Sequence, residues 1–468
     1  MLHLTIRKPV VILILLAAAL SAFLLPNHVS AQDQDYESLQ VRLERLEQRQ
    51  AVLEEENQQL RQQLVSLASV VLRKEPVAPI QQVALQTPAA AQTAPARPAA
   101  EAPPQKVQFG AEIRFRPETR SNFKKGVGVN TLLYQRIRLD ARLRLNENVT
   151  GLIQVQDSRR WGQEVSTFSN DANLDLHQGY LQVANFLGPH LTLRVGRQEL
   201  SYGNQRLIGA FGWDNVGRSF DAGKLTLGGT NGFVDLFAGR LADRRNSGRP
   251  EVGDSSQDLI GLYGRLGQTN AKLGLEPYLL YLRDGLEIAG EKAGVPREST
   301  RILTLGFRHF GALGSGFSYD LENAFQVGQR GPDTQRAAAL AAQARYRFDG
   351  GLKPEFGFEY DYATGDGKST DGRSQEFNNL FPTNHLHYGF ADYLGWRNMQ
   401  DFKPYLSLQV SSNMRAEFAY HRFLLVEKTG AWKNAGGTLL GIDPTGRLGT
   451  DLGHEIDITF TFPLYEHI

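Results

Sequence analysis

The 468-residue chain contains no cysteine, and its 51 Lys and Arg are almost cancelled by 50 Asp and Glu. Without cysteine there is no disulfide framework, no thiolate zinc site, no iron–sulfur cluster and no cysteine nucleophile. A formal net charge of +1 gives no electrostatic footprint for nucleic acid as a partner. Long apolar runs are also scarce. A spanning helix needs roughly 20 nearly uninterrupted apolar residues, the mean hydropathy is negative, and only the extreme N-terminus approaches such a run. What is abundant is glycine, at 47 residues, and aromatic side chains, with 25 Phe, 16 Tyr and 4 Trp. With 41% hydrophobic residues there is apolar matter for a large ordered unit.

The N-terminal part divides by composition. Arg7 and Lys8 precede an uncharged run from Val10 to Leu25, and Val29-Ser30-Ala31 supplies small residues for cleavage, so residues 1–31 read as a secretory signal peptide. Residues 32–75 read as a coiled coil. Leu39, Leu46, Leu53, Leu60 and Leu67 recur every seven residues, and Leu43, Leu64 and Val71 share the second core position with Gln50 and Asn57. In a parallel pair Arg42 faces Glu47, Arg49 faces Glu54 and Glu56 faces Arg61, which favours self-association through residues 36–71. Residues 76–105, with Pro76, Pro79, Pro88, Pro95, Pro98, Pro103 and Pro104, read as an extended linker. At ~3.1 Å per residue it would reach roughly 90 Å, enough for a periplasmic tether to a partner or to the cell wall.

Residues 106–468 read as an all-β unit: a transmembrane antiparallel up-and-down β-barrel of about 16–18 strands. Leu133, Ile137, Leu139, Ala141, Leu143 and Leu145 alternate with Arg136, Arg138, Asp140, Arg142 and Arg144, a strand with one apolar and one wet face. The pattern recurs in Phe109, Ala111, Ile113 and Phe115, in Phe356, Phe358, Tyr360 and Tyr362, and in Ile456, Ile458, Phe460 and Phe462. Tight turns such as Asn146-Glu147-Asn148, Gly188-Pro189 and Asp349-Gly350-Gly351 follow the even strands. Long connections such as 201–218, 365–401 and 427–452 follow most odd ones. Loops sorted in this way by end are the mark of a bacterial outer-membrane barrel, set in outer-membrane lipid with the coil in the periplasm. Closure leaves no unpaired edge in lipid, so the first strand is expected to pair with the last. Tyr, Trp and Phe are expected at the membrane interfaces and Gly at the turns.

If the apolar face meets lipid, Glu112, Arg114, Arg116, Arg136, Arg138, Arg142 and Arg144 face the interior. Neighbouring guanidiniums repel by ~1 kcal/mol per close pair in water and by more at lower dielectric. They require anions or acidic neighbours, of which Asp320, Glu322, Glu355, Glu359, Asp361, Glu455 and Asp457 are at hand. One outcome is an electropositive path for an anionic substrate; the other is a set of rigidifying ion pairs.

Two stretches stand out. One runs from Gly196 through Tyr202, Arg206 and Trp213 to Asp221; the other runs from Tyr362 through Asp366, Asn378-Asn379 and His385 to Asp392. On these the chain resembles the alginate-export family of outer-membrane barrel proteins. The resemblance implies an arginine-rich lumen passing anionic polysaccharide. Its pathway positions here are Arg114, Arg116, Arg136, Arg138, Arg142, Arg144, Arg194 and Arg197, with no cofactor and no covalent chemistry. The coiled coil and tether lie outside that pattern and leave a second reading, an envelope-spanning structural protein anchored by its barrel.

Catalytic motifs are not found. His385 and His387 with Asp392, or Asp366 with Asp371, could be assembled into a metal or acid/base site, but such residues in glycine-rich loops ordinarily serve turn geometry. There is no Gly-x-Ser-x-Gly elbow, phosphate-binding glycine loop or His-Glu-x-x-His.

Overall fold

Period-two alternation becomes backbone pairing along the whole second part of the chain. The computed structural model describes residues 107–121, 129–164, 174–229, 231–243, 256–267, 273–368 and 370–463. The expected signal peptide, coiled coil and linker lie outside the described residues.

The strands, in chain order, are β1 (Val107–Ser121), β2 (Val129–Arg144), β3 (Val149–Arg160), β4 (Asp175–Ala184), β5 (Leu191–Gln198), β6 (Phe220–Gly229), β7 (Gly232–Asp243), β8 (Ser256–Leu266), β9 (Leu273–Ile288) and β10 (Glu298–Ala312). They continue as β11 (Phe317–Arg330), β12 (Asp333–Arg347), β13 (Glu355–Ala363), β14 (Arg373–Ser374), β15 (Met399–Gln409), β16 (Arg415–Leu424), β17 (Trp432–Lys433), β18 (Leu439–Gly441) and β19 (Asp451–Thr461). Seventeen of these form one sheet, with only β17 and β18 apart. The two-residue β14 lies parallel to β12. The other sixteen are antiparallel to their neighbours in sequence order, the up-and-down barrel expected from the pattern.

Short connections close one end, at 145–148, 185–190, 313–316 and 410–414; long ones, at 199–219, 364–398 and 425–450, close the other. The short turns are chemically specified. Asn146 Oδ1 accepts the backbone N–H groups of Asn148 and Val149 at 2.9 and 2.8 Å, and Gly314 and Gly316 occupy φ values of 76° and 89° that a Cβ would resist.

Which face meets lipid follows from exposure. Phe109 is 82% exposed and Ile456 67%, and Ile113, Phe115, Leu139, Leu305, Phe325 and Ile458 stand out on the same outer face. A water-facing wall would not display so contiguous an apolar surface. The inner face departs from the wet wall the sequence suggested. Phe220, Phe237, Tyr263, Tyr278, Leu280, Ala324, Ala337, Ala339 and Ala341 form a hydrophobic core inside the barrel, against Leu200, Leu207, Ile208, Phe377, Tyr388, Leu394 and Trp396 of the long loops. The small residues of β12 make room for those loops.

Three aromatic residues depart in the same way. Phe237, Tyr278 and Tyr405 do not sit at an interface; each lies inward over a glycine directly opposite on the next strand, respectively Gly261, Gly306 and Gly357. A Cβ at Gly357 would fall 2.0 Å from the Tyr405 ring, so the glycine is required by close approach.

The expected pairing of first with last strand is not formed by a backbone ladder: among the described residues β1 pairs only with β2, and β19 only with β16. Inward side chains of both edge strands hold the infolded loops instead. Arg116 lies over the Trp213 ring at 4.2 Å, Trp213 stacks on His385 at 4.0 Å, and Glu455 accepts the Ala391 N–H at 2.8 Å.

Candidate substrate pathway

The two stretches singled out by sequence meet inside the barrel. Ile208 and Phe381 form a parallel bridge, and the Gly209, Phe381 and Thr383 N–H groups bond to Phe381, Leu207 and Gln205 carbonyls at 2.9, 2.8 and 2.8 Å. Arg218 fastens the same junction, donating to the carbonyls of Gly209 and Pro382 at 3.0 and 2.9 Å and to that of Phe381. Burial lowers its pKa to about 10, against the opposing pull of Asp214.

On the β1–β3 side the inward arginines grip the backbone of this loop. Arg114 donates to the Gly212 and Asp214 carbonyls at 2.7 and 2.9 Å, and Arg136 donates to the same two at 2.9 and 3.1 Å. Arg116 reaches the Trp213 carbonyl and pairs with Glu118 at 2.8 Å. Arg138 donates to Gln156 at 2.6 Å and to the Val216 carbonyl at 3.3 Å, with Glu199 at 3.4 Å. Glu112 sits between them, bonded to Arg136 and 3.8 Å from Arg138.

Three other arginines lie nearer the short turns. Arg142, Arg144 and Arg194 line a cavity of about 460 Å³ with Gln108, Thr150, Tyr180 and Gln182. Arg142 is 71% exposed at its side chain and only 3.6 Å from Asp140. Arg194 bonds to the neutral Gln182 at 2.6 and 2.9 Å and stacks over Tyr180 at 4.4 Å. Arg144 is exposed and has no hydrogen-bond or ion-pair partner among the described residues.

Arg197 stands apart from the other seven. It shares the outer face with Val195 and pairs with Asp221 and Asp175 at 3.3 and 3.6 Å, so the structure places it on the outer wall.

Opposite the arginine-rich strands, β9 to β15 carry inward carboxylates, several of them already matched to bases. Arg308 bridges Glu276 at 2.8 Å and Asp320, and Lys403 lies 3.6 Å from Glu359. The most buried of these networks centres on Arg206, from the first infolded stretch. It is ion-paired with Glu359 and with Asp361 at 2.9 Å, and donates to Tyr388 Oη at 2.9 Å. Sequence reasoning quoted Arg206 and Trp213 only as part of a distinctive stretch. The available signal was a long loop with an isolated Arg and Trp among apolar residues, a composition suited to burial rather than to solvent.

The loop histidines serve the same closure. His385 Nδ1 lies 3.0 Å from the Asp392 carboxylate, and His387 Nε2–H donates to the Asn204 carbonyl at 2.7 Å. Burial, reinforced by the Arg206 charge, lowers the His387 pKa to about 3, so this imidazole is neutral. Asp366 accepts the Lys368 and Gln375 N–H groups, each at 3.1 Å, and Asp371 accepts that of Arg373 at 2.9 Å, as turn-forming aspartates do. Among the described residues no group of three His, Cys, Asp or Glu is arranged to hold a metal.

An up-and-down barrel with an apolar outer wall and loops folded into its lumen defines a β-barrel membrane protein of the channel type. The chain belongs to the alginate export family, whose profile matches residues 105–468, and so to the bacterial outer membrane and its transport proteins. Solved structures of similar fold include OmpT of Vibrio cholerae, at 12% identity and TM-score 0.41 over 76% of this chain and 97% of that one. Pseudomonas aeruginosa OccK11 (OpdR) aligns at 13% identity and TM-score 0.45 over 70% and 82% of the two chains, respectively. Salmonella typhi OmpF in complex with daunomycin aligns at 12% and 0.42 over 76% and 97%. No curated protein matches the chain.

Proposed function

We propose that the protein passes anionic solutes, or an anionic polysaccharide such as alginate, through an arginine-lined lumen, by diffusion and without covalent chemistry. The observation that supports this most is the vestibule at the short-turn end. Arg142, Arg144 and Arg194 line it, Asp140 is the one carboxylate within ion-pair distance of them among the described residues, and Arg194 is held by a neutral amide. Guanidiniums unmatched by carboxylates concentrate anions at a pore mouth. The deeper arginines Arg114, Arg116, Arg136 and Arg138 form the closing surface on which the 212–216 loop rests. Most of their loop acceptors are main-chain carbonyls, which are neutral and weaker than a carboxylate. A carboxylated chain entering the vestibule therefore offers these arginines a better acceptor than the loop does.

Planar-bilayer reversal potentials test the reading. Wild type is expected to prefer anions, and Arg142→Ser, Arg144→Ser and Arg194→Ser together are expected to abolish that preference while the barrel still inserts. Cation preference in the wild type, or selectivity unchanged in the triple variant, would overturn it.

A further inference from the structure

The outer wall at the long-loop end carries three stacked rows set by strand register. The lowest is leucine throughout: Leu193, Leu225, Leu236, Leu262, Leu279 and Leu305 stand directly opposite one another from β5 to β10. Two residues nearer the long loops, the row reads Val195, Gly223, Ala238, Ile260, Tyr281. The next row reads Arg197, Asp221, Arg240, Asp258, Arg283, Arg301.

The middle row is hollow. Gly223 and Ala238 fall short of the flanking Val195 and Ile260, and the resulting depression has a volume of about 630 Å³ with Arg197, Arg240 and Arg283 on its rim. A Cβ added at Gly223 would meet nothing within 4 Å, so the floor is open. On a wall immersed in a bilayer an apolar hollow is filled by hydrocarbon, since an empty one forfeits the dispersion contacts of its lining. The charged row above has two aspartates among four arginines. Asp258 is shared by Arg240 and Arg283 at 2.9 and 3.2 Å. Arg283 and Arg301 stand directly opposite each other, and Arg301 has no partner among the described residues. Arg283 is compensated by Asp258, whereas Arg301, facing a like charge across the ladder, gains from an added anion.

We infer that this face is a binding site for a phosphorylated, acylated glycolipid of the outer leaflet. One acyl chain occupies the Gly223–Ala238 hollow, and a phosphate meets the Arg283–Arg301 end of the charged row. The long-loop end is the outward end of such a barrel, which places the row at the depth of outer-leaflet head groups.

The test is lipid retention by the full-length, membrane-extracted protein, read by native mass spectrometry. The probes are bis-phosphorylated hexa-acyl lipid A, the same lipid with both phosphates removed, and phosphatidylethanolamine. Wild type is expected to retain the phosphorylated glycolipid at least tenfold better than either of the others. Gly223→Leu, which fills the hollow, and Arg283→Gln with Arg301→Gln are each expected to lose at least that factor, with channel conductance unchanged. Ala238→Leu repeats the filling test on the adjacent strand, and heat-modifiable gel migration shows that each variant folds. Equal retention of the dephosphorylated lipid, or retention unaffected by Gly223→Leu and Ala238→Leu, overturns the site. So does a self-associated species lost in Gly223→Leu without lipid, which would make the hollow a contact between two copies.

Discussion

Replacing Arg206 by methionine should open the barrel. The guanidinium is 4% exposed, and its partners Glu359 and Asp361 are 2% and 0% exposed. Methionine keeps the apolar stem against Tyr388 and Trp396, whose rings lie 5.7 Å from the guanidinium carbon, and removes the charge together with its hydrogen bond to Tyr388 Oη. Among the described residues the one base left within ion-pair distance of the two carboxylates is then Lys403, 3.6 Å from Glu359, which also accepts from Gln343 at 3.2 Å. Asp361 is in ion-pair contact with Arg206 but takes no aligned hydrogen bond, so without Arg206 it keeps no ion-pair partner among the described residues. Breaking a buried pair by removing one partner costs about 3–5 kcal/mol. Arg206 belongs to a loop and its carboxylates to β13, so the loss falls on docking of the loop.

At 1.4 kcal/mol per factor of ten, a loss of about 3 kcal/mol raises the undocked population by roughly two orders of magnitude. Single-channel recording should show Arg206→Met with frequent transitions to a larger conductance that the wild type visits rarely. Removing the stranded charges as well, by Glu359→Gln and Asp361→Asn, should restore much of the closure, because the penalty is an unpaired charge and not a missing contact. Conductance and thermal unfolding of Arg206→Met indistinguishable from wild type would refute the assignment of this cluster as the lock.

Three further perturbations follow from the same geometry. Gly357→Ala should block folding, because its Cβ would lie 2.0 Å from the Tyr405 ring; Tyr405→Leu should rescue it, as read by heat-modifiable migration. Acid should loosen the loops through His387. An undocked imidazole takes a proton near its ordinary pKa of 6.5 and the docked one only near 3, so closure weakens as pH falls below about 6.5. The loss is at most about 1.4 kcal/mol per pH unit, and His387→Gln should flatten the acid rise in open-channel events. Trp213→Ala removes the stack on His385 at 4.0 Å and the Arg116 contact at 4.2 Å, worth about 1–3 kcal/mol together, and should raise the open fraction at constant ion selectivity. A change in selectivity without a change in open fraction would contradict this.

The barrel was legible because lipid enforces a rule at every second residue. Leu139 and Ile113 must be apolar whatever their neighbours are, so the alternation survives without knowledge of pairing. Sorting of connections by length was legible too, since 145–148 and 199–219 differ in the sequence itself. The interior obeys no such local rule. Whether Arg136 faces water, a carboxylate or a loop carbonyl depends on a segment some 76 residues away, and Ile208 meets Phe381 only once both loops turn inward. The glycine–aromatic pairs were hidden for a related reason. That Gly261 accommodates Phe237 is a statement about register, which composition does not contain. Arg197 shows the limit of strand facing carried over by analogy. Its own strand alternates Arg194 inward and Val195 outward, which already sets Arg197 with Val195.

The eight arginines read from the sequence as one stripe divide by partner into three groups with separable consequences. Arg114, Arg116, Arg136 and Arg138 hold loop carbonyls, so changing them alters how often the loop leaves the wall. Arg142, Arg144 and Arg194 meet one amide and one carboxylate, at 3.6 Å from Arg142, so changing them should alter which ions gather at the mouth. Arg197 belongs to the lipid-facing wall, and changing it should leave conduction alone. On the proposed pathway the first group would set gating and the second charge selection. A hydrogen bond to a neutral carbonyl contributes about 1 kcal/mol net, and one to a charged group about 1.5–3 kcal/mol. Several clamping arginines that exchange neutral for charged acceptors therefore shift loop docking by a few kcal/mol, comparable to the Arg206 lock. On this reading closure is strong enough to seal an empty barrel and weak enough for a polyanion to displace, a balance that carboxylates in place of the loop carbonyls would forfeit.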